Sequence, residues 1–333
     1  MLVLIAEFTA LLLVIFFCSW ALSEAVERIA ERWGANFAGS ILLGLVTTLP
    51  EYLFVFWAVW LGQFQVALGS ATGAATMLMT LGFGLVIVTA TTRLSKRPVK
   101  EIKLSKTTRI DALYLFLTAI AAVNLGLWGG GLSVLDGLIL TGIYIAYAVH
   151  LYIEAHKKNR EHHESGKAPP KVVLALVVMA VCAIIIVIVS EPFVKVMVRL
   201  AETIKVPPLA IAVVLSPIAS EMPEKLTAFL TVRRRGALAE ISVCNFVGSV
   251  VNHNSLLLAT MPFVSLIRGH GGFVPGIVVP AFWMMTCLTL IGSFSLSLGR
   301  LRRWQGALFA ALYLVLITVA CFFSQGPAAT LTP

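Results

Sequence analysis

Apolar residues run along this chain in blocks, not in the short alternations of a water-soluble fold. The blocks cover residues 2–22, 37–61, 64–90, 110–127, 132–153, 172–192, 207–231, 237–262, 275–298 and 307–324, each at least 18 residues long. A helix of that length crosses a hydrocarbon core of about 30 Å. The pattern therefore predicts an all-α polytopic membrane protein with ten transmembrane helices. The first block has no basic run before it and no small-x-small cleavage site. It is read as a retained first helix and not as a signal peptide.

The polar breaks organise the blocks. The two longest are 91–109 and 154–171, and the second, EAHKKNREHHESGKAPPK, separates five blocks from five. The expected division is a first five-helix repeat at 1–155, a cytoplasmic linker at 156–170 and a second five-helix repeat at 171–333. The halves resemble each other: VERIAERWGANFAGSILLGLVTTLPE (26–51) lies on VRLAETIKVPPLAIAVVLSPIASEMPE (198–224). Arg28, Ala30 and Glu31 then meet Arg199, Ala201 and Glu202, and a two-residue gap brings Pro50-Glu51 onto Pro223-Glu224. Five helices is an odd number, so the second repeat enters the membrane from the opposite side. Such inverted repeats build many secondary transporters, with the site at the repeat interface near the midplane.

Composition agrees. The chain is 59% hydrophobic and 12% charged, against about 25% charged for a soluble domain. The net charge of +9 is a matter of topology and does not point to nucleic acid. Twenty of the 25 Lys and Arg fall in alternate loops, while Lys195, Arg199, Lys205 and Arg268 lie on the other side. By the positive-inside rule the basic loops are cytoplasmic and both termini are outside. The expected location is a prokaryotic cell membrane, with the lipid bilayer as partner and the oligomeric state open. The five cysteines all sit in apolar spans, without a disulfide framework or a CxxC site. His162, His163 and Glu164 are read as part of a solvated linker.

Against this apolar background, LSPIASEMPEKLTAF (215–229) is anomalous. An ionised residue at mid-membrane costs roughly 2.5–3.5 kcal/mol on insertion scales, so Glu51, Glu221, Glu224 and Lys225 need partners. A proline within a helix frees the carbonyl four residues earlier; Pro50 would free Val46 and Pro223 would free Ala219. Free carbonyls beside carboxylates make a ligand set for a hard cation. Helical spacing adds Thr47 and Thr48 to the face of Glu51, and Ser220 and Glu221 to that of Glu224. The following small-residue helices supply Ser70 and Thr72 in one half, and Asn245, Ser249 and Asn252 in the other. Three acidic groups and one basic group leave a charge of −2, which one divalent or two monovalent ions would neutralise. Glu221 and Lys225, at i and i+4, also suit a structural ion pair. Glu7, Asp136, Glu191 and His253 are read as local hydrogen-bonding groups, and Trp60, Trp128 and Trp304 as interfacial anchors.

At these residues the sequence resembles the cation/calcium antiporter superfamily. Its members carry a G-T-S-L-P-E type motif in each repeat, followed by a G-N-x-x-G-S-N type segment. Here the motifs read VTTLPE (46–51) and ASEMPE (219–224), and the segments GSATGAA (69–75) and CNFVGSV (244–250). PIASEMPEK (217–225) is also similar to the P-I-V-G-N-A-A-E-H motif of calcium/proton exchangers, with Lys225 at the His position. The resemblance implies alternating-access antiport of inorganic cations, with Glu51 and Glu224 as central ligands. It implies no enzymatic activity and no resident cofactor. Thr47, Thr48, Ser70, Ser220, Asn245 and Ser249 match further ion-contacting positions. Four positions depart from the pattern: Glu221 stands where the motif usually has Ser, Ser70 replaces an Asn, Asn245 occupies a place that is acidic in some sodium-coupled members, and Lys225 is the largest oddity. The expected cargo is Ca2+ against Na+ or H+. The alternative is a proton- or potassium-coupled exchanger of another divalent metal such as manganese or magnesium. A cation channel and a membrane-embedded enzyme rank behind both.

Overall fold

The computed structural model describes residues 1–33, 47–159 and 170–323. It is a helical bundle. The first half contains α1 (Leu2–Trp33), α2 (Leu49–Trp60), α3 (Phe64–Met77), α4 (Phe83–Thr91), α5 (Lys106–Trp128) and α6 (Val134–Asn159). The second contains α7 (Pro170–Ile204), α8 (Pro208–Ser220), α9 (Met222–Arg234), α10 (Ala239–Asn252), α11 (Leu258–Arg268), α12 (Pro280–Ser297) and α13 (Arg303–Phe323). A π-turn at Leu78–Gly82 joins α3 to α4, and another at His253–Leu257 joins α10 to α11.

Seven helices or helix pairs among the described residues are long and apolar enough to span a membrane, and Leu49–Trp60 and Pro208–Ser220 are shorter apolar helices. Two layers are evident from burial. In the most apolar stretch, 83% of the α3–α4 rod and 72% of α10–α11 is buried, against 17% of α1 and 22% of α7. The two rods with π-turns are therefore the core, and α1 and α7 lie outside with Phe17, Ile184 and Ile188 exposed.

Contacts repeat between the halves. α1 packs on α7 and α5 on α12; α2 packs on α7 as α9 does on α1; α4 packs on α13 as α11 does on α6; and α3 packs on α12 as α10 does on α5. Two short ribbons follow the same exchange: β1 (Ile102–Lys103) pairs with β4 (Arg300–Leu301), and β2 (Gly131–Ser133) with β3 (Phe273–Pro275). Aromatic rings tie the outer pair to the core: Phe193 of α7 lies 5.3 Å from Phe8 of α1 and 4.9 Å from Phe54 of α2. Close approach of α3 to α8 needs glycine. A Cβ at Gly69 would sit 2.7 Å from the Leu209 carbonyl oxygen, and one at Gly73 would sit 2.7 Å from Val213 Cα. Small residues at such crossings replace the hydrophobic driving force that lipid removes.

The basic loops gather at one end. Lys96 N–H donates to the Arg233 carbonyl, Gly236 N–H to that of Arg97, and Ser95 Oγ to that of Val232. Glu101 lies 3.7 Å from Arg300 and 3.6 Å from Arg302. Asp136 caps its own helix, accepting from Ser133 N–H at 2.8 Å and Ser133 Oγ at 2.6 Å. Glu191 pairs with Lys195 at 2.6 Å on an exposed face.

Several expectations are corrected. The block at 207–231 is not one helix, since Glu221 breaks it into α8 and α9. The blocks at 2–22 and 172–192 run on, as the charged stretches that follow them suggest, into helices of 32 and 35 residues. At 1.5 Å per residue they measure about 48 and 52 Å, more than the bilayer core. The ribbons add short strands that the apolar blocks do not signal, because each is only two or three residues long. Residues 37–46 of the second block and 160–169 of the linker lie outside the described residues.

Candidate functional site

Both Pro-Glu pairs begin a helix. Pro50 and Pro223 occupy the first turns of α2 and α9, preceded by Thr48 and Glu221 at the cap positions. This corrects the picture of a proline inside a helix. In the first turn the missing N–H has no partner to lose and the fixed φ suits the helix. The Ala219 carbonyl belongs to the last turn of α8, where the backbone acceptors of a helix run out of intrahelical donors. Val46, the corresponding residue for Pro50, lies outside the described residues. Glu51 and Glu224 thus project from helix N-termini, where unpaired N–H groups and the helix dipole favour negative charge.

The three carboxylates are buried: Glu51 and Glu221 are each 1% exposed and Glu224 is 7% exposed. Glu221 neighbours both of the others. It is held by Lys225, whose Nζ lies 3.0 Å from Glu221 Oε2 and donates to the Glu221 carbonyl at 3.1 Å. His253, in the second π-turn, reaches Glu221 Oε1 with Nε2 at 3.6 Å. The Lys225 stem crosses to the first half, where a Cβ on Gly82 would lie 3.6 Å from Lys225 Cε. Glu224 accepts from Asn245 Nδ2. Glu51 differs: its polar neighbours are the Ser220 hydroxyl and Glu221, and among the described residues neither of its oxygens has a well-formed hydrogen bond.

The remaining oxygens bind the halves to each other. The Ser70 and Ser216 hydroxyls share a 2.6 Å hydrogen bond across α3 and α8, and Ser220 Oγ donates to the Ser216 carbonyl at 3.2 Å. Asn252 Nδ2 donates to Thr48 Oγ1 at 3.0 Å, and its Oδ1 accepts from Tyr52. Thr47 is buried in the same turn. Ser249 Oγ is buried without a partner. Thr72 is not drawn to the carboxylates; its hydroxyl donates to the Leu68 carbonyl at 2.8 Å within α3.

Structure therefore brings Glu51, Ser220, Glu221, Glu224, Lys225 and Asn245 together, with Thr48 and Ser70 joined to the opposite half. Sequence reasoning passed over Ser216 and Tyr52, and took His253 for a structural group. His253 is eight residues past Asn245, just as the first π-turn begins eight past Ser70; that register is the signal that could have found it. Among the described residues, no three His, Cys, Asp or Glu side chains form a metal cage by themselves. A cation here needs hydroxyl, amide and carbonyl oxygens as well, which is the donor set of a hard ion.

Comparison with known proteins agrees with this architecture. The sequence profile of the family described as "Sodium/calcium exchanger protein" matches residues 3–153 and 174–322. An uncharacterised membrane protein, MJ0091 of Methanocaldococcus jannaschii, is 25% identical over 293 residues, covering 87% of this chain and 89% of its own. The crystal structure of the H+/Ca2+ exchanger CAX superposes with a TM-score of 0.78 at 20% identity, over 96% of this chain and 84% of that one. The sodium-calcium exchanger NCX_Mj superposes with a TM-score of 0.67 at 22% identity, over 96% and 99%. This chain is a multi-pass, all-helical membrane transporter that belongs to the sodium/calcium exchanger family.

Proposed function

We propose that the protein is a secondary antiporter that moves Ca2+ against Na+ or H+ by alternating access. The observation that carries this is Glu51, a fully buried carboxylate with the Ser220 hydroxyl and another carboxylate, Glu221, beside it and no cationic partner among the described residues. A buried charge must be paired or neutralised. Near Glu51 the available neutraliser is a mobile cation or proton, since Lys225 is engaged by Glu221.

The proposed site takes Glu51 and Glu224 as central ligands, with Thr47, Thr48, Ser70, Ser220, Glu221, Asn245 and Ser249 around them. Lys225 supplies a fixed positive charge. Ten transmembrane helices in two inverted five-helix repeats, divided near 156–170, would place α2 and α8–α9 as equivalent broken elements. The exchange symmetry of the helix contacts and the matched π-turns support that reading. The basic loops, gathered at one end, are assigned to the cytoplasm, with both termini outside. The lightly buried pair α1 and α7 is the proposed sliding element. The H+/Ca2+ exchanger likeness and the Na+/Ca2+ exchanger likeness leave both coupling ions in the proposal.

A second reading has a specific basis. Lys225 already occupies one charge position beside Glu221, so the site has room for fewer cations than three glutamates would allow. That favours proton- or potassium-coupled exchange of another divalent metal, such as manganese or magnesium.

Purified protein in vesicles distinguishes them. Radiolabelled Ca2+ uptake is measured with imposed Na+, K+ or pH gradients, with Mn2+ and Mg2+ as competitors. Glu51→Gln should abolish uptake under every gradient; wild-type rates in that variant remove the site from this position.

A further inference from the structure

One more carboxyl group is buried away from the three glutamates. Asp111 lies five residues into α5 and is 4% exposed. Its polar neighbours are Tyr147 on α6 and Cys244 on α10. α12, which also packs on α5, has no charged residue, and its Ser293 Oγ donates to the Ala112 carbonyl at 2.7 Å. Arg109, on α5 itself, lines the outer groove with Phe116, Leu290 and Phe294. The π-turn that also packs on α5 carries His253, which is directed at Glu221, and among the described residues no cation is paired with Asp111.

Asp111 sits in the middle of a row of polar groups. On the loop side, Thr108 Oγ1 lies 3.3 Å from Cys244 Sγ and donates to Glu240 Oε1 at 3.2 Å. Glu240 also accepts from Ser105 N–H and is half-buried at the start of α10, on the end of the bundle where the basic loops meet. On the inner side, Tyr147 OH donates to Asp111 Oδ1 at 3.0 Å. The same hydroxyl lies 3.4 Å from where a side chain on Gly248 would begin. Gly248 precedes Ser249, whose hydroxyl is buried and unpartnered, and is one turn from Asn245, which holds Glu224. The Tyr147 ring also packs on Tyr144, 6.2 Å between centroids, and Tyr144 neighbours Tyr52, which bonds Asn252.

We propose that Asp111 is a second, proton-carrying site of the transport cycle, reached from the basic face past Glu240 and Thr108 and linked to the cation site by Tyr147. This rests on the exchange reading above. When Asp111 is ionised, the Tyr147 O–H bond points at it. One proton taken from water at the loop end turns the carboxyl into a donor, and Tyr147 becomes its acceptor. The tyrosine keeps its own proton and turns it toward α10 beside Ser249. A cation arriving at the glutamates favours the ionised carboxylate and expels the proton; departure of the cation restores it. The coupling ion is then H+, and Asp111 and Tyr147 are positioning residues with respect to the transported cation, not ligands of it.

The test uses the full-length protein in vesicles with a trapped fluorescent pH dye and Ca2+ as the probe ion. Asp111→Asn should move one proton fewer per Ca2+ and lose at least tenfold in uptake driven by a pH gradient. Radiolabelled Ca2+ binding at fixed pH should stay within threefold of wild type. Tyr147→Phe should shift both transport readouts the same way, and it carries the test if Asp111→Asn does not fold. Unchanged proton count and pH profile in a folded variant overturn the inference and leave the exchange reading intact. So does loss of Ca2+ binding with transport, which would make Asp111 a ligand, or a wild type that moves Ca2+ with no protons. A wild type that moves no cation under any gradient overturns both.

Discussion

Removing the Lys225 ammonium isolates the electrostatics of the site. Lys225 and Glu221 are each 1% exposed, and their charges stand 3.0 Å apart. With an effective dielectric constant of about 20, that separation corresponds to an attraction of roughly 5 kcal/mol. Breaking a buried pair by deleting one partner costs about 3–5 kcal/mol, because the other charge is stranded. Lys225→Met should therefore lower the melting temperature in chelator by on the order of 6–10 °C, taking about 2 °C per kcal/mol for a chain of this size. His253 at 3.6 Å does not replace a permanent cation. The variant site carries three acidic groups and no lysine, so added Ca2+ should recover more stability than it adds to wild type, by the linkage of binding to folding. The double variant Glu221→Gln, Lys225→Met removes both charges and should lie within a few degrees of wild type in chelator. Melting curves of the wild type, Glu221→Gln, Lys225→Met and the double variant, with and without Ca2+, measure all four corners of the cycle. The transported charge per cycle, measured on the same proteins, should change in Lys225→Met. A single variant as stable as wild type in chelator, or a double variant no better than the single, would refute the reasoning.

Two further substitutions probe the framework. Gly73→Ala places a methyl group against the Val213 backbone, 2.7 Å from its Cα; the α3–α8 crossing must open, and transport per folded molecule should fall more than tenfold, while alanine at the uncrowded Gly142 should leave it unchanged. Asn252→Leu keeps the volume but strips partners from Thr48 and Tyr52. At about 1–3 kcal/mol for each polar group left without a partner, it should lower the melting temperature by several degrees, whereas a substitution at exposed Leu298 should not.

Much of this organisation was legible in the sequence, and the reasons differ by feature. Apolar length marked the seven elements that are long enough to span a membrane among the described residues, since lipid leaves few alternatives to a helix whose backbone satisfies itself. Acidic residues in apolar blocks marked the candidate site because their insertion cost demands compensation. The helix break at Glu221 was not legible. Proline inside an apolar block reads as a residue that frees a carbonyl within a continuous helix, yet Pro223 starts a new helix, as the sequence rule for the first turn allows. The π-turns were equally hidden: LMTLG and HNSLL share only a hydroxyl residue and a leucine at their third and fourth positions, too little to signal an extra residue in the turn. The Ser70–Ser216 and Thr48–Asn252 bonds join residues 146 and 204 apart in sequence, so local spacing cannot signal them.

The broken helices and the charge count bear on the same question, why such a protein exchanges ions instead of leaking them. Glu51 and Glu224 each begin a half-helix, so part of their negative charge is met by unpaired N–H groups that cannot leave. Lys225 is equally fixed, tied to Glu221 by both side chain and backbone. What remains uncompensated is a charge near −2, and in a buried setting that is costly for any state that must pass through lipid-facing packing. The pair α1 and α7, proposed above as the sliding element, is the least buried of the described spans, and in that scheme its movement would meet little packing resistance of its own. The barrier to reorientation then resides mainly in the empty glutamates. Filling them with one divalent cation, or with protons, lowers it. In this scheme the fixed lysine sets how much mobile charge is required, so its removal should raise the number of cations carried per turnover and not merely weaken their binding.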